Sequence, residues 1–254
     1  MTGVLCPEGP YRVAIAELPL SAQPTDRPDG AIVVVPGAAA WPDAVLAAAQ
    51  AGAAAIVVAD PVFLSAIEIQ RVIDEVGIPV IVERPLLRPD VSAAAPAARE
   101  TASEASRPAR MVVVDATARR SALGAVARDA VGWARVLMSE ELEVVAVGGA
   151  QALLVAASGL SAAISVAVTA RPGSGRIHAQ ALGEVITDVV VEGSAVRMST
   201  STEAGRLIAP AVFESSERLA LRRALAAVGG ASIRDLEELA ADTVTADALL
   251  TARS

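Results

Sequence analysis

The sequence predicts an α/β unit built on a short parallel sheet, followed by an α+β unit with a large, mostly antiparallel sheet and helices. Three observations carry this. Between residues 30 and 83, apolar runs without polar alternation are separated by helical segments and short connections, the pattern of strands covered on both faces. Between residues 142 and 208, short strand-like segments follow one another, separated by glycine-containing turns. The 254 residues are 54% hydrophobic but only 2% aromatic, so the cores must be packed from Ala, Val, Leu and Ile.

In chain order, residues 12–16 read as one strand, followed by a proline-rich loop over 19–28. Residues 31–35 form a β-branched strand ending at Pro36-Gly37; residues 43–50 form a helix closed by Gly52; residues 54–58 form a strand stopped by Asp60-Pro61. Ser65 with Glu68 makes a capping box for a helix that ends at Gly77, and 78–83 is the third strand. Residues 85–108, with four prolines among Ala, Ser, Arg and Glu, read as a linker. The expected division is therefore residues 1–108, including that linker, and residues 109–254.

The second unit opens with a strand over 111–115 and a helix over 121–138, whose Leu123, Val126, Ala130, Trp133 and Leu137 make one stripe. Strands follow at 142–147, 152–157, 162–170, 177–182, 185–191, 195–200 and 207–208. The turns at 171–175, 183–184 and 192–194 suit antiparallel neighbours. Helices are expected over 217–228, 232–241 and 245–252, the second opened by a Ser232 cap. Residues 144–170 carry no charge and are long enough to span a bilayer. Their second half alternates, with Ile164, Val166 and Val168 on one face, which is a strand period.

Composition excludes several chemistries. All 21 basic residues are arginine, with one histidine, His178, and one cysteine, Cys6. No Schiff-base lysine, lysine general acid or P-loop lysine exists, and no multi-His or multi-Cys zinc site can form. A net charge of −8 without basic runs or stacking aromatics argues against nucleic acid as a partner. The single cysteine fits a reducing, cytoplasmic setting, and the amino terminus reads as carrying no signal peptide. Next to Pro7, Cys6 reads as incidental.

Three stretches add a resemblance: residues 47–61 (AAAQAGAAAIVVADP) with the helix and strand of 65–82; residues 129–134 (DAVGWA); and residues 231–236 (ASIRDL) with 246–250 (ADALL). In this order and spacing, from about residue 30 to the end, the chain resembles the NAD(P)-dependent oxidoreductases named after glucose-fructose oxidoreductase and inositol dehydrogenase (Gfo/Idh/MocA). The resemblance implies a Rossmann-like sheet, here truncated, before the α+β domain. It also implies sites that this sequence lacks. The glycine-rich dinucleotide turn is missing, since Gly3, Gly9, Gly30 and Gly37 are isolated. The family's Glu-Lys-Pro aligns with Ala59-Asp60-Pro61, placing Asp60 at the lysine position. A second register aligns it with Glu83-Arg84-Pro85, placing there an arginine that cannot release its proton. The family's helical histidine falls on Val126, three residues before the retained Asp129.

The resemblance thus implies an oxidoreductase scaffold that is catalytically inactive. Such a protein would bind no cofactor and act as a homodimer, or beside a partner oxidoreductase, through the sheet of its second domain. The alternative is an active enzyme with unconventional NAD(P) binding. Asp60 reads either as a site residue at a strand's carboxyl end or as a turn cap before Pro61. Asp129 reads either as a substrate-facing residue or, with Arg128, as a solvated surface pair. His178 reads as solvent-facing or as part of a sheet contact. Arg197, Arg206, Arg218, Arg222 and Arg223 read as ion-pairing residues, Glu214 preceding Arg218 by one helical turn, or as ligands for an anion between the domains.

Overall fold

The computed structural model describes residues 1–7, 9–102, 109–170, 173 and 175–252. The chain divides into two compact units: residues 1–85 with 213–243, and residues 86–212 with 244–254. The first crossing therefore falls at Pro85 rather than at residue 108, and the chain later returns to the first unit. The reason lies in the core of that unit, which is incomplete without the returning helices.

The first unit holds β1 (Thr2–Leu5), α1 (Pro10–Ala16), β2 (Ala22–Pro24), β3 (Ile32–Pro36), α2 (Trp41–Gln50), β4 (Ala55–Ala59), α3 (Ala66–Glu75) and β5 (Val80–Glu83). Its five strands are all parallel, in the order β2-β1-β3-β4-β5. Residues 12–16 are helical, not extended. Pro10 at the first helical position fixes φ, and Gly9 before it adopts φ 119°. The leading segment thus contains a full strand–helix–strand crossover in place of the single expected strand.

Strand alternation divides the core of this unit into two layers. Ile32, Val34, Ala55, Val57 and Ile81 face α1 and helix α6 (Ser216–Val228), whose Ala220, Leu221, Ala224 and Ala227 complete that layer. Val33, Val35, Ile56, Val58 and Val82 face α2, α3 and the start of α7 (Asp235–Thr251), which adds Leu236 and Leu239. The Ser65–Glu68 capping box forms as the sequence predicts. Helices expected at 232–241 and 245–252 are one helix, opened at Asp235. The Asp235 carboxylate is held by both terminal nitrogens of Arg223 at 2.7 Å and accepts the Val82 N–H at 2.9 Å. That bond satisfies a donor on β5, a strand at the sheet's edge.

In the second unit the expected linker over 85–108 is instead helix α4 (Pro89–Ala102) over most of its length; residues 103–108 lie outside the described residues. Pro89 suits a helix start, and Val91, Ala95 and Arg99 recur every fourth residue as the buried stripe that holds the helix despite Pro96 inside it. The sheet comprises β6 (Met111–Ala118), β7 (Leu142–Gly148), β8 (Gln151–Ala156), β9 (Ser161–Val168), β10 (Arg176–Leu182), β11 (Ile186–Glu192), β12 (Ala195–Thr202) and β13 (Gly205–Ile208). Its order is β13-β12-β11-β10-β6-β9-β8-β7. The uncharged stretch 144–170 is β-structure, and among the described residues no helix is long and apolar enough to cross a membrane.

The turn expected to make β9 and β10 antiparallel neighbours does not do so. The earlier strand β6 lies between them, parallel to β9 and antiparallel to β10. Helix α5 (Leu123–Met138) packs on β6, β9 and β10, while α4 packs on β11 and β12, so one face of the sheet is covered. The other face is open among the described residues, with Asp115, Gln151 and Leu153 exposed on it.

Candidate functional site

In an open parallel sheet the chemistry gathers where strands end at their carboxyl edge, beside the point where strand order reverses, here between β1 and β3. The connection after β1 carries Cys6 and Pro7, then Gly9 and Pro10. It offers neither the glycine pair that lets a backbone approach a pyrophosphate nor, at Pro10, an N–H to donate. Cys6 is half-buried, and its thiol is pushed up by burial despite the nearby Arg12. No histidine lies in this unit to activate it.

The loops after β3, β4 and β5 are laced together. Gly37 N–H donates to the Ala59 carbonyl at 2.8 Å, Val62 N–H to the Gly37 carbonyl at 2.7 Å, and Asp60 N–H to the Glu83 carbonyl at 3.2 Å. Asp60 has φ 46°, the left-handed conformation that Asp tolerates in turns, and its side chain is exposed. Asp60 thus holds a tight turn, and it also contributes charge to its surroundings.

At the end of β5, Glu83 is 7% exposed. Its carboxylate accepts the Tyr11 hydroxyl at 2.5 Å and the Ser216 hydroxyl at 2.6 Å, joining α1, β5 and α6. Burial pushes the Glu83 carboxyl up. The two hydroxyls oppose that, and the charges of Glu217 and Asp60 add to it. Burial, then Glu83 itself, pushes the Tyr11 phenol far up as well. Arg84 follows, buried, with Nη1 2.7 Å from Oδ2 of the buried Asp242. The edge therefore carries the negative charge of Asp60 and Glu217 around the buried Glu83, while the buried Arg84 is engaged by an acid.

A carboxyl with a raised folded-state pKa stabilises the fold only while protonated. Stability should therefore fall as pH rises from the ordinary glutamate value through the raised one, and level off above it. Thermal unfolding across this range is expected to show that fall in the wild type and a flatter profile in Glu83→Gln. Equal slopes would remove Glu83 from the account.

The other sequence candidates lie in the second unit. Val126 is buried, packed so that a Cβ on Gly175, at φ 129°, would stand 2.6 Å from its Cγ2 and 3.4 Å from Leu86. The position that the resemblance gives to a histidine is thus an aliphatic packing site. Arg128 and Asp129 are not a solvated pair: they are 2% and 3% exposed, with Nε 3.1 Å from Oδ1. The surface expectation fails because α5 is buried on every side from Val126 through Ala134, with Ala and Gly letting neighbours approach closely. His178 and Gln180 both bond Oδ2 of Asp188, at 2.9 and 2.8 Å. Burial works against the Asp188 charge, yet those bonds hold its carboxyl below the usual range.

Of the five arginines, Arg218 and Arg222 pair with Glu214, Arg223 pairs with Asp235, and Arg206 bonds Ser199. Among the described residues no group of three His, Cys, Asp or Glu side chains could hold a metal ion. Sequence reasoning missed Tyr11, Ser216 and Asp242, because their partners lie far away along the chain.

On the open face of the eight-stranded sheet, a basin of about 450 Å3 lies over β6, β7, β8 and β9. Its floor pairs an apolar row, Val113, Ala163 and Leu153, with a polar row, Asp115, Ser165 and Gln151, each aligned by strand register.

These two sheets match the fold that the sequence resemblance implies, and solved dehydrogenases share that fold. Levoglucosan dehydrogenase in complex with NADH matches with a TM-score of 0.72 at 15% identity, over 100% of this chain and 96% of that one. UDP-N-acetylglucosamine 3-dehydrogenase from Acidithiobacillus ferrooxidans matches with a TM-score of 0.69 at 13% identity, over 99% and 96%. A probable dehydrogenase from Thermotoga maritima matches with a TM-score of 0.69 at 14% identity, over the same shares. At these identities the likeness is one of fold. No protein-family model matches the sequence, and the search of curated proteins finds no match.

Proposed function

We propose that this chain is a cytoplasmic, catalytically silent relative of NAD(P)-dependent dehydrogenases that works as a binding or partner subunit. The carboxyl edge of the parallel sheet carries the proposal. A pyrophosphate needs backbone donors and positive potential there. This edge instead has a proline at the start of α1 and the carboxylates of Asp60 and Glu217, both within electrostatic reach of Glu83. The acid/base pair is lacking as well. In the first register the lysine position holds Asp60, and in the second it holds Arg84, whose guanidinium is committed to Asp242. The Ala59-Asp60-Pro61 register is the preferred one, since a helix and a strand, α3 and β5, follow Pro61 as they follow the family's motif. The histidine position holds the buried Val126.

Titrating the purified protein with NAD(H) and NADP(H), followed by nucleotide fluorescence and thermal shift, is expected to give no response at millimolar nucleotide. Micromolar binding would overturn the reading in favour of an active oxidoreductase with unconventional cofactor contacts. The dehydrogenase solved with NADH keeps that alternative in view.

The partner surface is the open sheet face, and the partner is a second copy of the chain. Light scattering after size exclusion is expected to give a dimer. Ala163→Arg, which places a charge on the apolar row, should shift it to monomer. A wild type that stays monomeric at high concentration would rule this out, and binding only beside an active dehydrogenase would name the other partner.

A further inference from the structure

Arg99 is 8% exposed and lies in the buried stripe by which α4 packs on the covered face of the second unit's sheet. Its Nη1 donates to the Val185 carbonyl at 2.5 Å and the Ala181 carbonyl at 3.3 Å, both beside the β10–β11 turn. Its Nε and Nη2 find no hydrogen-bond partner among the described residues. The same holds for Oγ1 of Thr187, which is 0% exposed. Thr187 stands opposite Ala181 in the strand register and two residues after Val185, so one turn of sheet presents both carbonyls and the idle hydroxyl.

The identity of the two idle nitrogens is informative. Nε and Nη2 lie along one edge of the guanidinium with parallel N–H bonds, the fork that matches two oxygens of a planar anion. Burial drives the Arg99 pKa down, and among the described residues no acid opposes it. A water molecule could occupy a donor but would not neutralise the charge, and an uncompensated buried charge is strongly unfavourable. We propose that Arg99 and Thr187 form a buried site for a small planar oxyanion, a carboxylate or an inorganic equivalent such as nitrate, held by the Nε/Nη2 fork and the Thr187 hydroxyl. This site is separate from the carboxyl edge of the parallel sheet and does not depend on whether the protein binds nucleotide.

Full-length protein is tested by thermal unfolding at fixed pH and sodium concentration, exchanging chloride for formate, acetate, nitrate or trimethylacetate. The expected result is a saturable rise in midpoint with one or more of the small planar anions and none with chloride or bulky trimethylacetate. A response to formate and acetate alone assigns the site to carboxylates, and one to nitrate alone assigns it to inorganic oxyanions. Arg99→Met should abolish the response, and Thr187→Val should raise the half-saturating concentration several-fold. A rise of equal size in wild type and Arg99→Met, or with chloride as with formate, overturns the proposal. Should Arg99→Met fail to fold, Thr187→Val and crystals grown in formate decide it: density for the anion against the Arg99 fork supports the site, and water only, or no density, overturns it.

Discussion

Asp242→Ala is expected to lower stability by about 3–5 kcal/mol, the usual cost of removing one partner from a buried ion pair. Arg84 and Asp242 meet at 2.7 Å with side chains only 6% and 1% exposed, so neither solvent nor salt can take over the lost carboxylate's role. In a chain of this length that corresponds to a fall of roughly 10 °C in the unfolding midpoint. The double replacement Arg84→Met/Asp242→Leu should recover a large part of the loss, because two apolar side chains bury no charge. Chemical denaturation of the two variants measures the difference. A single variant within about 1 kcal/mol of wild type would mean that the pair is a bystander.

Gly37→Ala is expected to cost at least about 3 kcal/mol, through overpacking against atoms that cannot retreat. An added Cβ would lie 2.4 Å from the Ala59 oxygen, 2.4 Å from Pro61 Cα and 2.6 Å from the Asp60 carbonyl carbon. All are backbone atoms, and the hydrogen bonds from Gly37 to Ala59 and from Val62 to Gly37 pin the two loops together. Gly77→Ala is the control: it meets nothing within 4 Å and should be neutral or slightly stabilising. Similar midpoints for the two variants would show that the laced loops yield easily.

Legibility in the sequence followed the range of the forces involved. The parallel strands β3, β4 and β5 and the Ser65–Glu68 cap could be read because continuous apolar runs and a three-residue capping spacing are local signals. Helix α4 could not, because its prolines and alanines resemble a linker until the Val91, Ala95, Arg99 spacing is counted. The insertion of β6 between β9 and β10 leaves no local trace, since each strand's own pattern is satisfied by either neighbour. At the candidate site, Asp60 and Glu83 were visible beside their prolines. The Tyr11–Glu83–Ser216 contact joins residues 72 and 133 positions apart and has no sequence signature. Arg128 and Asp129 misled because adjacent opposite charges on a helix normally face water.

The return of residues 213–243 to the first unit decides when that unit can exist during synthesis. Until α6 and the start of α7 leave the ribosome, Ile32, Val34, Val57 and Ile81 lack Leu221 and its alanine neighbours, while Ile56 and Val58 lack Leu236 and Leu239. The amino-terminal strands, which emerge before α6 and α7, must wait with both faces partly bare while the other unit is translated. A gene cut at residue 85, or at 108, would encode a fragment without a closed core, so the two units are inherited, expressed and lost together.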